Sequence, residues 1–458
     1  MTIENIAAAC EGTFVGDRDL VTKEIAGAVT DSRQVQKDYL FIPIKGARVD
    51  GHDFIPQVFE KGALVVLSDH ALPEETGPYI LVSSTTEAMK KIAAFYRTQL
   101  SCKVVGITGS VGKTSTKEMI ASVLEQRYKV LKTEGNFNNE IGLPLTIFKI
   151  RAKHEVAVLE MGISDFGEMH RLAAMAQPDI GVITNIGLCH LENLGTRDGI
   201  LQAKTEMFDH LQVDGTVILN GDDDKLSTKK EVNGKLVIFY GVGADSAFDI
   251  KKDIYATDIE NHGLEGMRAK IHTPQGDFDA QIPIPGEHNV YNALAGTAVG
   301  LQLGLSIREI AQGIAFVQTI AGRTNLLHVK GMTVIDDCYN ANPVSMKASI
   351  DVLAHTSGRR IAVLGDMGEL GAEEKELHRS IGKAVAASGI DALFCAGTLA
   401  EEYASEAKAN PECEVHYKKT REEMTEELLA YVKEGDTVLV KASHFMEFPK
   451  VVEALTKE

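Results

Sequence analysis

The chain has 458 residues, 44% apolar and 24% charged, values typical of a globular protein with roughly two to four domains. Its 65 acidic and 47 basic residues give a net charge of −18, and no basic stripe suggests a nucleic-acid partner. The six scattered cysteines form no C-x-x-C pair, which is typical of free thiols in a reducing compartment. No basic leader and no apolar run of about 20 residues is present, so we expect a cytoplasmic protein without a membrane span.

Residues 1–85 carry short apolar stretches that predict a small mixed α/β domain. Two stretches end on polar groups, in Thr30-Asp31-Ser32-Arg33 and in Asp50-Gly51-His52-Asp53-Phe54. Polar groups beside glycines at strand ends suit an anionic or hydroxylated ligand. The same residues also serve as ordinary turn formers and caps, so the pattern alone leaves both interpretations open.

A Gly-rich loop lies near the middle of the chain. A β-branched run from Val104 leads into Thr108-Gly109-Ser110-Val111-Gly112-Lys113-Thr114, and a helix-forming stretch follows from Lys117 to Gln126. This order is typical of a loop whose backbone N–H groups contact phosphate at a helix N-terminus. Lys113 is then expected at the β- and γ-phosphates and Thr114 at Mg²⁺.

The glycine spacing of this loop departs from the common G-x-x-x-x-G-K-[ST] form, because Ile107 stands where the first glycine belongs. A Gly-rich β–α turn without a ligand would explain the glycines. It would not explain a Lys-Thr pair at the helix start after an apolar strand, so we favour nucleotide binding.

Other polar residues follow predicted strands. Asn138 and Asn139 lie in a loop too polar to pack as core. Glu160 ends the apolar strand Glu155–Leu159 beside the phosphate loop, where a carboxylate can hold Mg²⁺ or be a solvated strand end. His190 follows the strand Ile180–Ile186, and structural and metal-binding roles remain equally open. Lys204 lies on an amphipathic helix and would ordinarily be a surface cation.

A β-rich insert is predicted over about 249–285, and a new unit begins near Gly322-Arg323. The strand Gly331–Asp337 leads into the polar segment Cys338-Tyr339-Asn340-Ala341-Asn342. Strands and helices then alternate to the end, which predicts a doubly wound, mostly parallel sheet.

Together these motifs resemble the Mur ligase superfamily, ATP-dependent amide-bond-forming enzymes that build the peptide of bacterial cell-wall precursors. The resemblance covers essentially the whole chain and rests on residues in the family's order: Thr108-Gly109-x-x-Gly112-Lys113-Thr114, Glu160-Met161-Gly162, Asn185-Ile186-Gly187 with His190, Lys204, His288-Asn289 with Asn292-Ala293, Gly322-Arg323 and Asp336-Asp337.

The resemblance implies an α/β fold of three domains. They are a small mixed α/β domain (1–85) that binds a UDP-sugar, a central P-loop-type parallel sheet with a β-rich insert (86–321) that binds ATP, and a C-terminal Rossmann-like doubly wound sheet (322–458) that binds the incoming dipeptide.

The resemblance also implies roles for individual residues. The expected catalytic residues are Lys113, Lys204, Arg323, His190 and Glu160. Mg²⁺ is expected to be held by Thr114, Glu160, His190 and a CO₂-derived carbamate on Lys204. The nucleotide is expected to contact the loop residues Thr108, Gly109, Ser110, Val111, Gly112, Lys113 and Thr114. Asn289 and Asn292 are expected by adenine, Arg323 by the γ-phosphate and Asp337 by the ribose.

Within the superfamily, residues 30–33 and 50–54 are similar to the UDP-binding domain of the two late-acting members. The segments 336–343 and 364–371 are similar to the last-acting member, whose substrates are UDP-N-acetylmuramoyl-tripeptide and D-alanyl-D-alanine. We expect a monomer that contacts these substrates through Ser32, Arg33, Asp50, Gly51, His52, Asn138, Asn139, Tyr339, Asn340 and Asn342.

One motif departs from the family pattern. A Lys-Gly-Ser-Arg sequence of the last domain is replaced by Lys441-Ala442-Ser443-His444, so an imidazole replaces a guanidinium. Two other functions stay open at this point. A relative could add an amino acid to another nucleotide sugar or to folate, and a P-loop switch could use hydrolysis only for conformational change.

Overall fold

The computed structural model describes residues 1–457, and Glu458, the last residue of the predicted third domain, lies outside the described residues. The architecture is α/β with three sheets of five, ten and six strands. This confirms the predicted fold class.

The first sheet has the strand order β1-β5-β4-β3-β2, parallel except for β1. Its strands and the helices around it are β1 (Thr13–Val15), β2 (Gly27–Val29), β3 (Tyr39–Phe41), β4 (Val65–Ser68), β5 (Tyr79–Leu81), α1 (Ile3–Ala9), α2 (Ile55–Glu60) and α3 (Thr85–Thr98).

The central sheet has the order β15-β14-β13-β12-β10-β9-β6-β8-β7, with β11 paired to β12 at one side. Its strands are β6 (Lys103–Thr108), β7 (Val130–Lys132), β8 (Val156–Glu160), β9 (Ile180–Ile183), β10 (Thr216–Asn220), β11 (Glu231–Val232), β12 (Lys235–Val242), β13 (Ile254–Asn261), β14 (Met267–Thr273) and β15 (Gly276–Ile282). Its helices are α4 (Lys113–Leu124), α5 (Gly142–Ile147), α6 (Glu168–Ala176), α7 (Leu191–Leu194), α8 (Arg197–Thr205), α9 (His288–Gln302) and α10 (Ile307–Ala315).

The β-rich insert predicted over 249–285 continues the central sheet instead of forming a separate layer. Strand β13 pairs parallel with β12, and β13, β14 and β15 then pair antiparallel. The phosphate-loop strand β6 lies between β8 and β9, which places the carboxyl ends of these three parallel strands side by side.

The third sheet has the order β16-β17-β21-β18-β19-β20 and is parallel except for the β16–β17 hairpin. Its elements are β16 (Asn325–Val329), β17 (Met332–Asp336), β18 (Arg359–Gly365), β19 (Ala392–Ala396), β20 (Glu414–Lys418), β21 (Asp436–Lys441), α11 (Pro343–Ala354), α12 (Glu374–Ala387), α13 (Ala400–Ala407), α14 (Arg421–Tyr431) and α15 (Pro449–Thr456).

The hydrophobic core links the first two sheets but not the third. One continuous buried cluster runs from Ile3 and Leu40 through Ala88 and Met89 of α3 to Leu159 of the central sheet. The third sheet buries its two faces in clusters of its own. No helix within residues 1–457 has the length and apolar character needed to cross a membrane.

Helix α4 begins at Lys113, four residues before the predicted start at Lys117. Gly112 at its N-cap has a left-handed backbone with φ of +81°, so the chain turns directly from the loop into the helix. The prediction followed the later, more regular stretch and therefore missed this first turn.

Candidate functional site

A cavity of about 450 Å³ lies between the central sheet and the third sheet. Its lining brings together fifteen of the residues predicted from the sequence, from segments far apart in the chain. They are Ser110, Val111, Gly112, Lys113, Thr114, Asn138, Asn139, Glu160, His190, Asn292, Arg323, Asp337, Tyr339, Asn340 and Asn342.

The phosphate loop is held in place by residues that follow β9. The side chain of Asn185 accepts from the Val111 N–H at 3.0 Å and donates to the Val111 carbonyl at 3.0 Å. Thr184 Oγ1 donates to the same carbonyl at 2.6 Å. A Cβ on Gly109, whose φ is +152°, would lie 1.9 Å from Thr184 Oγ1, so this close approach of loop and strand requires glycine. Gly109 and Thr108 lie behind the cavity lining, and Thr108 is fully buried.

Two cations face the start of α4. Lys113 Nζ donates to the Gly109 carbonyl at 2.8 Å, across the mouth of the loop. Arg323, from the third unit, donates through Nη2 to Thr114 Oγ1 at 3.3 Å, and its guanidinium stacks 4.1 Å from the Tyr339 ring centroid. Together with the positive end of the α4 dipole, these groups make a site for phosphate oxygens, although the protein as a whole is acidic.

Glu160 ends β8 inside the cavity with an unsatisfied oxygen. Its Oε1 accepts from Asn138 Nδ2 at 2.8 Å, whereas Oε2 is buried and has no hydrogen-bond partner. The Glu160 side chain is only 2% exposed. Leaving a buried carboxylate oxygen unpaired is costly, so this position suits a cation.

Lys117, one turn along α4 from Lys113, was not predicted. Its side chain is 1% exposed, donates to the Thr133 carbonyl at 2.6 Å and lies 3.9 Å from Glu160 Oε2 and 3.1 Å from Glu118 Oε1. This buried lysine therefore lies beside the Glu160 carboxylate, behind the phosphate loop.

His190 contacts a residue of the third unit. Its Nδ1 lies 2.7 Å from Glu369 Oε2, and both residues have left-handed backbones, with φ of 51° and 60°. Burial lowers the pKa of His190, helped by Lys113 and Lys204 and opposed by Glu369. The ring is therefore held in one orientation by a carboxylate, an arrangement typical of histidines that ligate metals and of structural ion pairs.

Lys204 is buried, not a surface cation. Lys204 is 1% exposed and is not among the residues that line the cavity. Burial, followed by repulsion from Lys113, lowers the pKa of Lys204 to about 8. Within residues 1–457, no carboxylate affects the pKa of Lys204, so the amine is buried without a carboxylate partner.

The two asparagines predicted to lie by adenine are both at the start of α9. Asn292 lines the cavity, whereas Asn289 lies behind it and donates to the Pro285 carbonyl at 2.8 Å. Asn289 Oδ1 accepts from Asn292 Nδ2 at 2.8 Å, and Asn292 Oδ1 accepts from Thr116 at 2.7 Å. His288 and Tyr291 line the cavity beside Asn292.

Asp337 is the centre of a network in the third unit. Its Oδ1 accepts from the Thr324 N–H at 3.1 Å, and its Oδ2 accepts from Ser349 at 2.5 Å and Lys441 at 2.6 Å. Burial opposes ionisation of Asp337, but the nearby Lys441 ammonium and Ser349 hydroxyl hold its pKa below the ordinary value.

The variant motif 441–444 lies next to this network. Ser443 Oγ accepts from the Gly368 N–H at 2.9 Å and donates to the Ala341 carbonyl at 3.3 Å. The His444 ring centroid lies 5.8 Å from that of Tyr339. The imidazole therefore packs near an aromatic ring of the cavity wall, beside Arg323.

The predicted ligand residues of the first sheet do not line this cavity. Arg33 pairs with Asp31 through Nη2 and Oδ2 at 2.7 Å and is 86% exposed, while Ser32 is buried beside it. Asp50, Gly51 and His52 form a turn in which the Asp50 carboxylate accepts from the His52 N–H at 3.0 Å.

Several cavity residues were not assigned a role from the sequence. Gly162, Asn185, His288 and Lys441 belong to motifs quoted for the resemblance but were given no role of their own, and the types of the other residues are common in ordinary turns and cores. They are Ser115, Gly162, Ile163, Ser164, Thr184, Asn185, Asn220, Tyr240, His288, Tyr291, Thr324, Val344, Ser345, Ala348, Ser349 and Lys441.

Comparison with known proteins gives matches along the whole chain. Three family profiles match: "Mur ligase family, catalytic domain" over residues 24–97, "Mur ligase middle domain" over 107–300, and "Mur ligase, glutamate ligase domain" over 322–444.

Individual relatives are similar over their full lengths. The UDP-N-acetylmuramoyl-tripeptide–D-alanyl-D-alanine ligase of Bacillus subtilis is 39% identical, with 99% of this chain and 98% of that protein covered. A crystal structure of MurF from Acinetobacter baumannii has a TM-score of 0.89 at 31% identity, covering 100% of this chain and 99% of that one. A structure of MurF from Thermotoga maritima in complex with ADP has a TM-score of 0.81 at 31% identity, covering 94% and 97%.

Proposed function

The chain belongs to the Mur ligase family, and from this premise we propose that it joins D-alanyl-D-alanine to UDP-N-acetylmuramoyl-tripeptide, with ATP converted to ADP and phosphate. The observation that carries the proposal is that one cavity is lined by Lys113, Thr114, Glu160 and Arg323. In it Arg323 donates to Thr114 Oγ1, and Glu160 Oε2 has no hydrogen-bond partner. Relatives similar over their full lengths carry this activity in their names.

The chemistry requires activation of a carboxylate, because oxide is a poor leaving group. Transfer of the γ-phosphoryl group to the terminal carboxylate of the tripeptide gives an acyl phosphate. The amine of D-alanyl-D-alanine then attacks the acyl carbon, and phosphate leaves. Lys113 and Arg323 neutralise and position the phosphates, which is the main catalytic contribution in phosphoryl transfer, and they oppose the repulsion between two anions.

The residues present fit a magnesium ion. The buried Glu160 Oε2 has no hydrogen-bond partner, only the Lys117 ammonium at 3.9 Å, and Thr114 in the same cavity offers a hydroxyl oxygen, the ligand type that Mg²⁺ prefers. His190, oriented by Glu369, would be a less usual ligand. When bound, the ion would neutralise phosphate charge and align the γ-phosphoryl group. Glu160, Thr114 and His190 would hold it.

We further infer that Lys204 carries a carbamate. A neutral amine attacks CO₂, an N–C bond forms and a proton leaves, so a buried cation becomes an anion able to bind metal. The lowered pKa of Lys204 leaves a larger neutral fraction near neutral pH than an exposed lysine has. The ammonium form of Lys204 is also disfavoured because a buried positive charge without a carboxylate beside it has lost its hydration and gained no ion pair.

The remaining assignments complete the proposal. Residues 1–85 bind the UDP-sugar through Ser32, Arg33, Asp50, Gly51 and His52, residues 86–321 bind ATP, and the third unit from 322 onward binds the dipeptide near Tyr339, Asn340 and Asn342. Adenine lies by Asn292, with Asn289 supporting it, and the ribose by Asp337. The enzyme acts as a monomer in the cytoplasm.

Product formation is the test. Purified protein with ATP, Mg²⁺, UDP-N-acetylmuramoyl-tripeptide and D-alanyl-D-alanine should give the pentapeptide by mass spectrometry, with one phosphate released per product. Leaving out the dipeptide should prevent product. Phosphate without pentapeptide would instead favour a P-loop switch, and turnover that depends on folate but not on the tripeptide would favour a folate ligase.

A further inference from the structure

Two histidines and an aspartate meet at the edge of the first sheet, away from the nucleotide cavity. His52 lies in the turn that follows Asp50, and Asp69 and His70 directly follow Ser68, the last residue of β4. One ligand atom from each of His52, Asp69 and His70 lies within 4.8 Å of the others. The rings of the two histidines are 4.9 Å apart between centroids.

The tautomer of His52 is set by a second carboxylate. Its Nδ1 lies 2.7 Å from Asp50 Oδ1, and the same oxygen accepts from the backbone N–H of His52 at 3.0 Å. An ionised carboxylate only accepts hydrogen bonds, so Nδ1 carries the proton and donates it. The Nε2 lone pair of His52 therefore points away from Asp50, the arrangement found in carboxylate–histidine–metal triads.

The group that Nε2 faces is an acceptor. Nε2 lies 3.4 Å from Asp69 Oδ1, and its contact with the Asp69 N–H, at 3.5 Å, is long. Two lone pairs thus face each other. Ligand atoms about 2.1 Å from a tetrahedral Zn²⁺ are separated by about 3.4 Å, so the spacing of Nε2 and Oδ1 is that of two ligands on one ion.

His70 completes the set from the solvent side. Its Nδ1 lies 2.7 Å from the same Asp69 oxygen, as a donor. On binding a cation, the ring proton would move from Nδ1 to Nε2 by exchange with solvent, so that the ring stays neutral and its Nδ1 lone pair is free for the ion. The His70 and Asp69 side chains are 57% and 39% exposed, whereas His52 is 7% exposed, so the site has one fixed buried ligand and an open route for the ion.

We propose that His52, Asp69 and His70 form a binding site for a late divalent transition metal ion such as Zn²⁺, with Asp50 as the positioning residue and water in the remaining coordination position. Two imidazoles and one carboxylate favour Zn²⁺ over Mg²⁺, which takes oxygen ligands. The ion would tie the turn at residues 50–54 to the segment after β4 and so stabilise the first sheet.

The test counts bound Zn²⁺ in the full-length protein by competition with a chromophoric chelator, with excess Mg²⁺ present. Wild-type protein should bind one equivalent more than His70→Ala and than Asp69→Asn. His355→Ala is a matched control, because His355 is a 50% exposed histidine 3.6 Å from a carboxylate of Asp351, and it should bind as many equivalents as wild type. Equal Zn²⁺ binding by wild type and both site variants would overturn the proposal.

Two further measurements separate a metal site from a general structural role. Asp50→Asn should still bind the additional equivalent of Zn²⁺, but with an affinity about 10–100-fold weaker, because His52 loses its orienting carboxylate. Zn²⁺ should raise the melting temperature of wild type and not of His70→Ala, and Co²⁺ should give visible d–d absorption only in wild type and His355→Ala. The Zn²⁺ count, the melting temperature and the Co²⁺ spectrum are all measured without substrate, so failure of this proposal is distinguishable from failure of the ligase proposal.

Discussion

Lys113 provides the most direct test of the nucleotide site at the scale of a single residue. Its ammonium donates to the Gly109 carbonyl at 2.8 Å and can donate to phosphate oxygens instead when a nucleotide binds. Lys113→Ala should lower kcat for pentapeptide formation at least about 100-fold, because transition-state charge loses a preorganised cation. Lys103→Ala, which removes a 60% exposed lysine at the other end of β6, should leave kcat unchanged. Steady-state kinetics of the two variants, with equal circular dichroism, checks the prediction.

Lys204 tests the carbamate hypothesis. Lys204→Ala should lose most activity and regain part of it when acetate or formate is added, because a small carboxylate can occupy the space left by the side chain and replace the carbamate. Ethylamine is the matched probe, since it would replace an ordinary ammonium. Rescue by the amine and not by the carboxylate would show that Lys204 acts as a cation. The rescue is measured as rate against the concentration of added compound.

Residue types at strand ends were predictable from the sequence, but their partners were not. Glu160 and His190 could be placed at the phosphate loop because both follow apolar strands. The contact of His190 with Glu369 depends on how the third unit packs on the central sheet, which no local pattern encodes. Lys117 was missed because a lysine on a helix is usually exposed, and only tertiary structure places it in the interior beside the Glu118 and Glu160 carboxylates.

At the scale of elements, the turn between β6 and α4 has no room for a Cβ atom at Gly109. Gly109→Ala places a Cβ 1.9 Å from Thr184 Oγ1, so the loop or β9 must shift and the amide cradle is lost. ADP binding, measured by calorimetry, should fall at least about tenfold.

A matched control is Gly234→Ala, which also lies at positive φ, +76°, but with no atom within 4 Å of the added Cβ. It should cost about 1 kcal/mol of backbone strain and leave ADP affinity unchanged. Equal ADP affinity in both variants would mean that the close approach of Gly109 to Thr184 does not shape the site.

Elements with a strong local pattern were predicted well. The strands around the phosphate loop are continuous apolar runs, as expected when helices cover both faces of a parallel sheet, and the alternation of strands and helices after Gly331 gave the third sheet. The face of α9 could not be predicted, because eleven of its residues from Asn289 to Gly300 are buried and the helix has no polar stripe to orient it. Asn289 therefore lies behind Asn292 instead of beside it.

At the scale of the whole molecule, the three sheets are not equally independent. The first and central sheets share one buried apolar cluster through α3, whereas the third sheet meets the central one across the cavity through polar contacts such as Arg323 with Thr114. Polar interfaces within a chain allow relative motion more readily than hydrophobic ones. The domain boundaries expected from the sequence follow residues 85 and 321, and the shared core favours motion at the second boundary, at Gly322.

Gly322 lies at the start of the third unit with φ of +76°, a backbone conformation open to glycine, and its N–H donates to Asp336 Oδ2 at 2.8 Å. Closure matters because an acyl phosphate hydrolyses in water. We therefore expect the protein bound to a non-hydrolysable ATP analogue and UDP-N-acetylmuramoyl-tripeptide to have a smaller radius of gyration than the free protein. A single compact globule of this length has a radius of about 23 Å. The tripeptide alone should produce less compaction than both ligands together, since Arg323 has no phosphate to hold. Identical small-angle scattering curves for the free and doubly bound protein would show that the third unit does not move.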